Sequence, residues 1–265
     1  MNQILDPALG RQGTKHKVNG MTETGWLWLY VACMATGAIL FFVWSRNPRR
    51  VPQYEYAAAI LIPVWSGLAY TAMALGQGTV DVGGQEVHFA RYLDWVVTTP
   101  LLIFLLCSTG MFFRPLDKTT IFTLVGLDVI MILSGLFADL SVEQGPQWFW
   151  YITGCVCLVL ILGTLWTRVR REAYAHNAEI GAAYTRVTTY FTLMWLGYPL
   201  IWALGPSGIG LLDDLTEVAL FVILPIFSKV GFSIYDLYEL RKLAPKFPEF
   251  DEVNPKARLR HSGEA

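Results

Sequence analysis

Three ionisable residues, Asp94, Asp128 and Lys229, stand inside long apolar stretches of this chain. Such a side chain at membrane depth is costly unless it is paired or serves a pathway, so each is a functional candidate. Lys229 lies in ALFVILPIFSKVGFSIY, with eleven uncharged residues before it, too deep for a cation that merely snorkels to an interface. Desolvation disfavours an ammonium ion, and a neutral amine is a nucleophile able to condense with an aldehyde. A Schiff base formed there, if protonated, needs a carboxylate close by. Asp94 is the candidate counterion.

The elements that must position these groups are apolar spans. Hydrophobic residues make up 54% of the 265 positions and charged residues 15%, with a mean hydropathy of +0.42, far from the balance of a soluble domain. A crossing helix needs about twenty mostly apolar residues. Seven such stretches occur, at 26–44, 57–77, 92–113, 119–138, 147–167, 187–205 and 218–235. The fold class is therefore an all-α membrane protein, a seven-transmembrane-helix bundle in one domain. Basic loop residues tend to stay cytoplasmic. Arg46, Arg49 and Arg50, then Arg114 and Lys118, then Arg168, Arg170 and Arg171, then Arg241 and Lys242 follow the odd-numbered spans. The alternate loops carry Asp139 and Glu143, then Asp213, Asp214 and Glu217. The amino terminus is expected outside and the carboxyl terminus inside, although Arg11, Lys15 and Lys17 make the first tail basic. No cleavable signal peptide is evident, because the first twenty residues lack an apolar core.

Cys33, Cys107, Cys155 and Cys157 all fall within spans and read as packing thiols. His16, His88, His176 and His261 fall in tails or loops, so no metal site is expected. No nucleic-acid partner is expected.

The run ARYLDWVVTTPLL (90–102) resembles the third-helix signature of the microbial rhodopsins. WLGYPLIW, with Trp195, Tyr198, Pro199 and Trp202, matches their sixth-helix signature, and SKVGF (228–232) matches the segment of the retinal lysine. LDVIMILSG adds Asp128, Met131 and Gly135 at family positions, and the similarity covers all seven helices. The resemblance implies all-trans retinal bound covalently to Lys229, in a pocket lined by Trp95, Thr99, Met131, Gly135, Trp150, Trp195, Tyr198 and Trp202. An apolar polyene needs an aromatic-walled slot, whereas Trp26, Trp28 and Trp148 read as interfacial belt residues. It also implies a multi-pass protein of the cell membrane that is a light-driven transporter or photoreceptor and not an enzyme. Residues 24–242 form the retinal-binding domain on this reading, between an extracellular tail at 1–23 and a cytoplasmic tail at 243–265.

Fold and pigment leave the function open within this family. In the family's three-letter description the third helix reads Asp94, Thr98, Leu105. Asp94 disfavours a chloride pump, and Leu105 cannot donate a proton where outward proton pumps carry an acid. Pro225, one turn before Lys229, replaces the second counterion aspartate of most relatives, which weakens the pull on the Schiff base proton in that direction. In combination these features resemble the xenorhodopsins and the related cyanobacterial sensory rhodopsin. Asp236, seven residues after Lys229, returns to nearly the same helix face about 10 Å further on and is the expected cytoplasmic proton acceptor. Ala57 to Ala59 stand where some members have a histidine partner, so Asp236 is expected to act alone or through water.

The resulting expectation is a light-driven inward proton pump. Arg91 should balance Asp94, Asp128 should be protonated near the ring end of retinal, and Leu102 implies green absorption. Glu217 occupies the place of a proton-release acid, with Ser207 where its partner glutamate would be. Two alternatives stay open: a photosensor signalling through a partner protein, and an outward pump without the usual donor. The relatives' trimers imply a homo-oligomer in the bilayer.

Overall fold

A computed structural model describes residues 22–112 and 114–247. Seven helices long and apolar enough to cross a bilayer follow one another: α1 Glu23–Ser45, α2 Gln53–Ala74, α3 Phe89–Gly110, α4 Lys118–Asp139, α5 Gln144–His176, α6 Ala178–Leu204 and α7 Asp214–Lys246. The chain is thus an all-α membrane protein, a seven-transmembrane-helix bundle. Most of both tails, with Arg11, Lys15, Lys17, His16 and His261, and also Phe113, lie outside the described residues.

Four of the helices start on side chains that satisfy their otherwise orphaned amides. Thr22 accepts from the Gly25 amide, Asn177 from Glu179, Asp213 from Thr216, and Asp117 from both Thr119 and Thr120. The Thr120 hydroxyl also donates to Asp117, and this bond holds the Asp117 carboxyl below its ordinary value of 3.8, with Arg168 adding to the effect. Between α2 and α3 the chain makes a hairpin of β1 Val80–Val82 and β2 Gln85–Val87, with Val82 opposite Gln85. Its two-residue turn is Gly83 and Gly84, at φ 62° and 88°, a left-handed pair that glycine adopts without a Cβ clash. Three-residue strands are too short to stand out in a hydropathy pattern, and the sequence reading did not foresee them.

α3 is the most enclosed helix, and large apolar side chains such as Phe122, Leu68, Phe42 and Leu160 face outward, as lipid contact requires. Between helices the driving force in lipid is close packing of small residues. A Cβ on Gly37 would sit 2.8 Å from Val230, so glycine at that position lets α1 approach α7 beside Lys229.

Several helices outrun the apolar windows of the sequence. α2 begins at Gln53 where the window began at 57, α6 begins at Ala178, and α5 continues to His176. Hydropathy measures the hydrocarbon thickness, whereas backbone hydrogen bonding carries a helix on past it. Arg168, Arg170 and Arg171 are therefore helical, and His176 ends a helix where a loop was expected. Trp26 is buried against Tyr30, Tyr70 and Leu215 and does not belong to an interfacial belt. Trp148 is half-buried, its ring edge-on to Tyr151 and Trp202.

Candidate functional site

The backbone of α7 changes character where the lysine sits. Pro225 has no N–H to offer the carbonyl one turn back, and the Tyr70 hydroxyl of α2 donates to that Phe221 carbonyl at 3.0 Å. Ile226–Gly231 then winds as a π-helical turn, with the Phe227 carbonyl accepting a further bond from the Tyr190 hydroxyl at 2.9 Å. Such turns mark functional positions more often than chance, and this one contains Lys229.

Lys229 is fully buried. Its Nζ donates to Asp94 Oδ2 at 2.5 Å and to Ser66 Oγ at 2.9 Å. Ser66 spends its single proton on Asp94 at 2.8 Å, so the Tyr30 hydroxyl, 2.6 Å from Ser66, is the donor in that pair. Tyr30 in turn stacks on Tyr70 with ring centroids 3.7 Å apart. Thr98 bonds the Asp94 carbonyl at 2.9 Å and its Oδ1 at 3.3 Å. Asp94 is thus surrounded by donors from α2, α3 and α7. Arg91 is buried with its guanidinium 4.5 Å from the Phe221 ring centroid. No ion pair joins Arg91 to Asp94 among the described residues, so it does not balance that carboxylate by direct contact.

Beside this ion pair is an apolar cavity lined by Trp95, Thr99, Met131, Gly135, Trp195, Tyr198 and Trp202, together with Tyr92, Tyr151 and Phe221. Trp195 stacks on Phe191 at 4.2 Å, and Tyr198 bonds Ser228 at 2.6 Å, fixing α6 to the residue before the lysine. Thr99 donates to Asp128 Oδ2 at 2.7 Å, which places that buried acid behind the cavity wall. Trp150, expected at the wall, and Leu102, expected to tune the colour, are not among the residues that line this cavity. Trp150 is turned onto Phe137 and Phe149, at 5.0 and 5.1 Å, and its neighbour Tyr151 lines the cavity in its place. Leu102 is buried in the main core.

Toward the other end of α7 a second buried acidic site appears. Asp236 is fully buried and accepts from Thr109 at 2.7 Å. Glu55 of α2 is also fully buried and accepts from Ser108, and it lies within electrostatic range of Asp236. Oδ2 of Asp236, Oε2 of Glu55 and the hydroxyls of Ser233 and Thr188 have no hydrogen-bond partner among the described residues. Asp236 therefore has a carboxylate neighbour that the sequence analysis, which expected it to act alone or through water, did not include. Glu55 lay two residues outside the apolar window. Extending the second helix by one turn, as QYEYAAA permits, would have found it.

Asp139 was also missed, having been read as a loop acid. It ends α4 and accepts from Tyr92 and Trp202, both at 2.6 Å. Glu217 is half-buried within electrostatic range of Arg91 and Asp139.

These features define a seven-span membrane protein with one buried lysine among the described residues, ion-paired next to an aromatic-walled cavity. The bacteriorhodopsin-like protein family matches residues 21–243, and the chain belongs to this family, the microbial rhodopsins. It is 33% identical over 234 residues to archaerhodopsin-3 of Halorubrum sodomense, an alignment covering 86% of this chain and 89% of that protein. The structure resembles the thermophilic rhodopsin of Rubrobacter xylanophilus, with TM-score 0.80, 30% identity and coverage of 84% and 98%. It also resembles a cyanorhodopsin of Calothrix sp. NIES-2098, with TM-score 0.77, 26% identity and coverage of 84% and 96%. Proteins of this family are multi-pass membrane proteins, ion pumps or photoreceptors, that carry retinal as a Schiff base on a lysine. The residues present fit that group: Lys229 would supply the amine, Asp94 the compensating charge, and the apolar cavity the slot.

Proposed function

We propose that this protein is a light-driven inward proton pump of the xenorhodopsin kind. The observation that carries this reading is the buried Glu55–Asp236 pair, held by Ser108 and Thr109 on the opposite side of Lys229 from Asp94. Arg46, Arg49, Arg50, Arg114, Lys118 and Lys242 stand at or beyond the ends of the spans on that same side, which supports a cytoplasmic assignment for it.

Bound retinal supplies light absorption and an isomerisation that reorients the proton-bearing nitrogen of Lys229. The chain does the remainder. On the outer side Asp94 fixes the charge at Lys229 Nζ but is already engaged by Ser66 and Thr98, and Pro225 brings no second carboxylate. On the inner side Glu55 and Asp236 each keep an oxygen without a hydrogen-bond partner among the described residues. Paired carboxylates in one dry site can share a proton, which suits them to receive the one leaving Nζ. Beyond them Glu239 is buried and ion-paired to the half-exposed Arg186 at 2.6 Å, next to the cytoplasm on this orientation. Leu105 is fully buried and carries no proton, so no donor acid occupies the position used by outward pumps. Return of a proton to Nζ then comes from the outer half, where Arg91 and Glu217 stand. Asp128 acts through Thr99 on cavity packing.

The test is the light-induced pH change in a weakly buffered suspension of cells expressing the protein with added retinal. External alkalinisation abolished by a protonophore is the expected result. Acidification would establish an outward pump, and an unchanged pH from a pigmented sample would favour a photosensor.

A further inference from the structure

Asp139 occupies a position that ordinary helix energetics disfavours. It is the last residue of α4, and the carboxyl end of a helix favours cations over anions. Two hydrogen bonds hold it there. The Tyr92 hydroxyl donates to Oδ2 and the Trp202 indole Nε1 to Oδ1, both at 2.6 Å. These rings line the cavity from different helices, α3 and α6. Their donors point to a single group because a carboxylate alone among small side chains accepts with both atoms. Asparagine would present its NH₂ to one of them.

The surrounding residues are shaped to the same end. Gly135, one turn earlier on α4, would with a Cβ stand 3.0 Å from Cε1 of the Tyr92 ring. Its lack of a side chain therefore leaves the ring where its hydroxyl reaches Asp139. On the far side Trp202 stacks on Tyr151, with centroids 4.6 Å apart and planes 14° from parallel. By contrast the Trp95 indole N–H has no partner among the described residues, so an indole in this wall is not tied down as a matter of course.

We propose that Asp139 is a positioning residue that clamps Tyr92 and Trp202 together, fixing this end of the retinal cavity and with it the colour of the pigment and its shielding from water. The clamp touches the cavity walls and not the reacting nitrogen, so it is independent of the direction of pumping. It rests on the retinal cavity described above.

Two readouts test it. In the retinal-free protein labelled with ¹⁵N, the indole N–H resonance of Trp202, assigned by its loss in Trp202→Phe, should carry the signature of a strong hydrogen bond and lose it in Asp139→Ala. In the pigmented protein Asp139→Ala should shift the absorption band and raise the rate of bleaching by hydroxylamine in the dark at least tenfold, equivalent to about 1.4 kcal/mol. Tyr92→Phe removes a single hydroxyl and keeps the apolar contacts. It should shift the band and speed bleaching by less, leaving the Trp202 resonance hydrogen-bonded. The proposal is overturned if Asp139→Ala keeps the parental band, bleaching rate and Trp202 resonance. If that variant does not fold, a parental band and bleaching rate in Tyr92→Phe overturn it equally. Failure of the parent protein to form any pigment would instead refute the retinal cavity, since the indole resonance is read without it.

Discussion

On the Asp94 side of Lys229 the buried hydroxyls and carboxylate oxygens answer one another: Tyr30 to Ser66, Ser66 to Asp94, Thr98 to Asp94, and Nζ to both. On the Asp236 side one oxygen of each carboxylate, and the hydroxyls of Ser233 and Thr188, have no hydrogen-bond partner among the described residues, whereas toward Asp94 the unpartnered atoms are the nitrogens Arg91 Nε and Trp95 Nε1. Unpaired polar atoms in a dry interior are costly, so they persist where something other than the static fold uses them. On the proposed function, the first side holds a charge in place and the second receives one. The contrast also accounts for the geometry of α7, where Pro225 and the π-helical turn leave carbonyls that Tyr70 and Tyr190 must answer from α2 and α6.

The largest effect that would break this contrast is loss of the lysine: Lys229→Ala should form no visible pigment with retinal. Asp94→Asn removes one partner of a buried ion pair, which costs about 3–5 kcal/mol. Thermal bleaching should occur at a much lower temperature, and the absorption band should move to longer wavelength as the compensating charge is lost. On the other side, Asp236→Asn and Glu55→Gln should each leave the pigment and its stability near the parental values while net proton flux falls at least tenfold. Equal flux in either variant would remove that residue from the acceptor site. Tyr70→Phe leaves the Phe221 carbonyl without its donor and should lower stability by about 1–3 kcal/mol, read from the thermal midpoint with the colour little changed. Asp117→Asn should have the smallest effect. The folded carboxyl lies below its ordinary value, so its contribution is present above about pH 4 and is lost as the pH falls further. The thermal midpoints of parent and variant should converge on acidification.

Much of this was legible in the sequence because a membrane writes its constraint in composition. Seven apolar windows, a lysine at depth and the third-, sixth- and seventh-helix signatures led to the fold, the family and the retinal lysine. Side-chain partners were harder to read. Glu55 fell just outside a hydropathy window, although helical hydrogen bonding extends α2 beyond it. Ser66 and Tyr30 are ordinary residue types whose meaning comes from convergence of α1 and α2 on Lys229. That Tyr151 and not Trp150 lines the cavity depends on helix rotation, which apolar residues on all sides of α5 do not resolve. Asp139 looked like a loop acid because it ends its span, and only the packing of α3 and α6 around it gives it two donors.

The central claim, that protons released at Lys229 leave on the Asp236 side, is tested most directly by the steady photocurrent of the protein in a voltage-clamped cell at 0 mV with equal pH on both faces. The account predicts a sustained inward current that disappears in Asp236→Asn. A sustained outward current would contradict it.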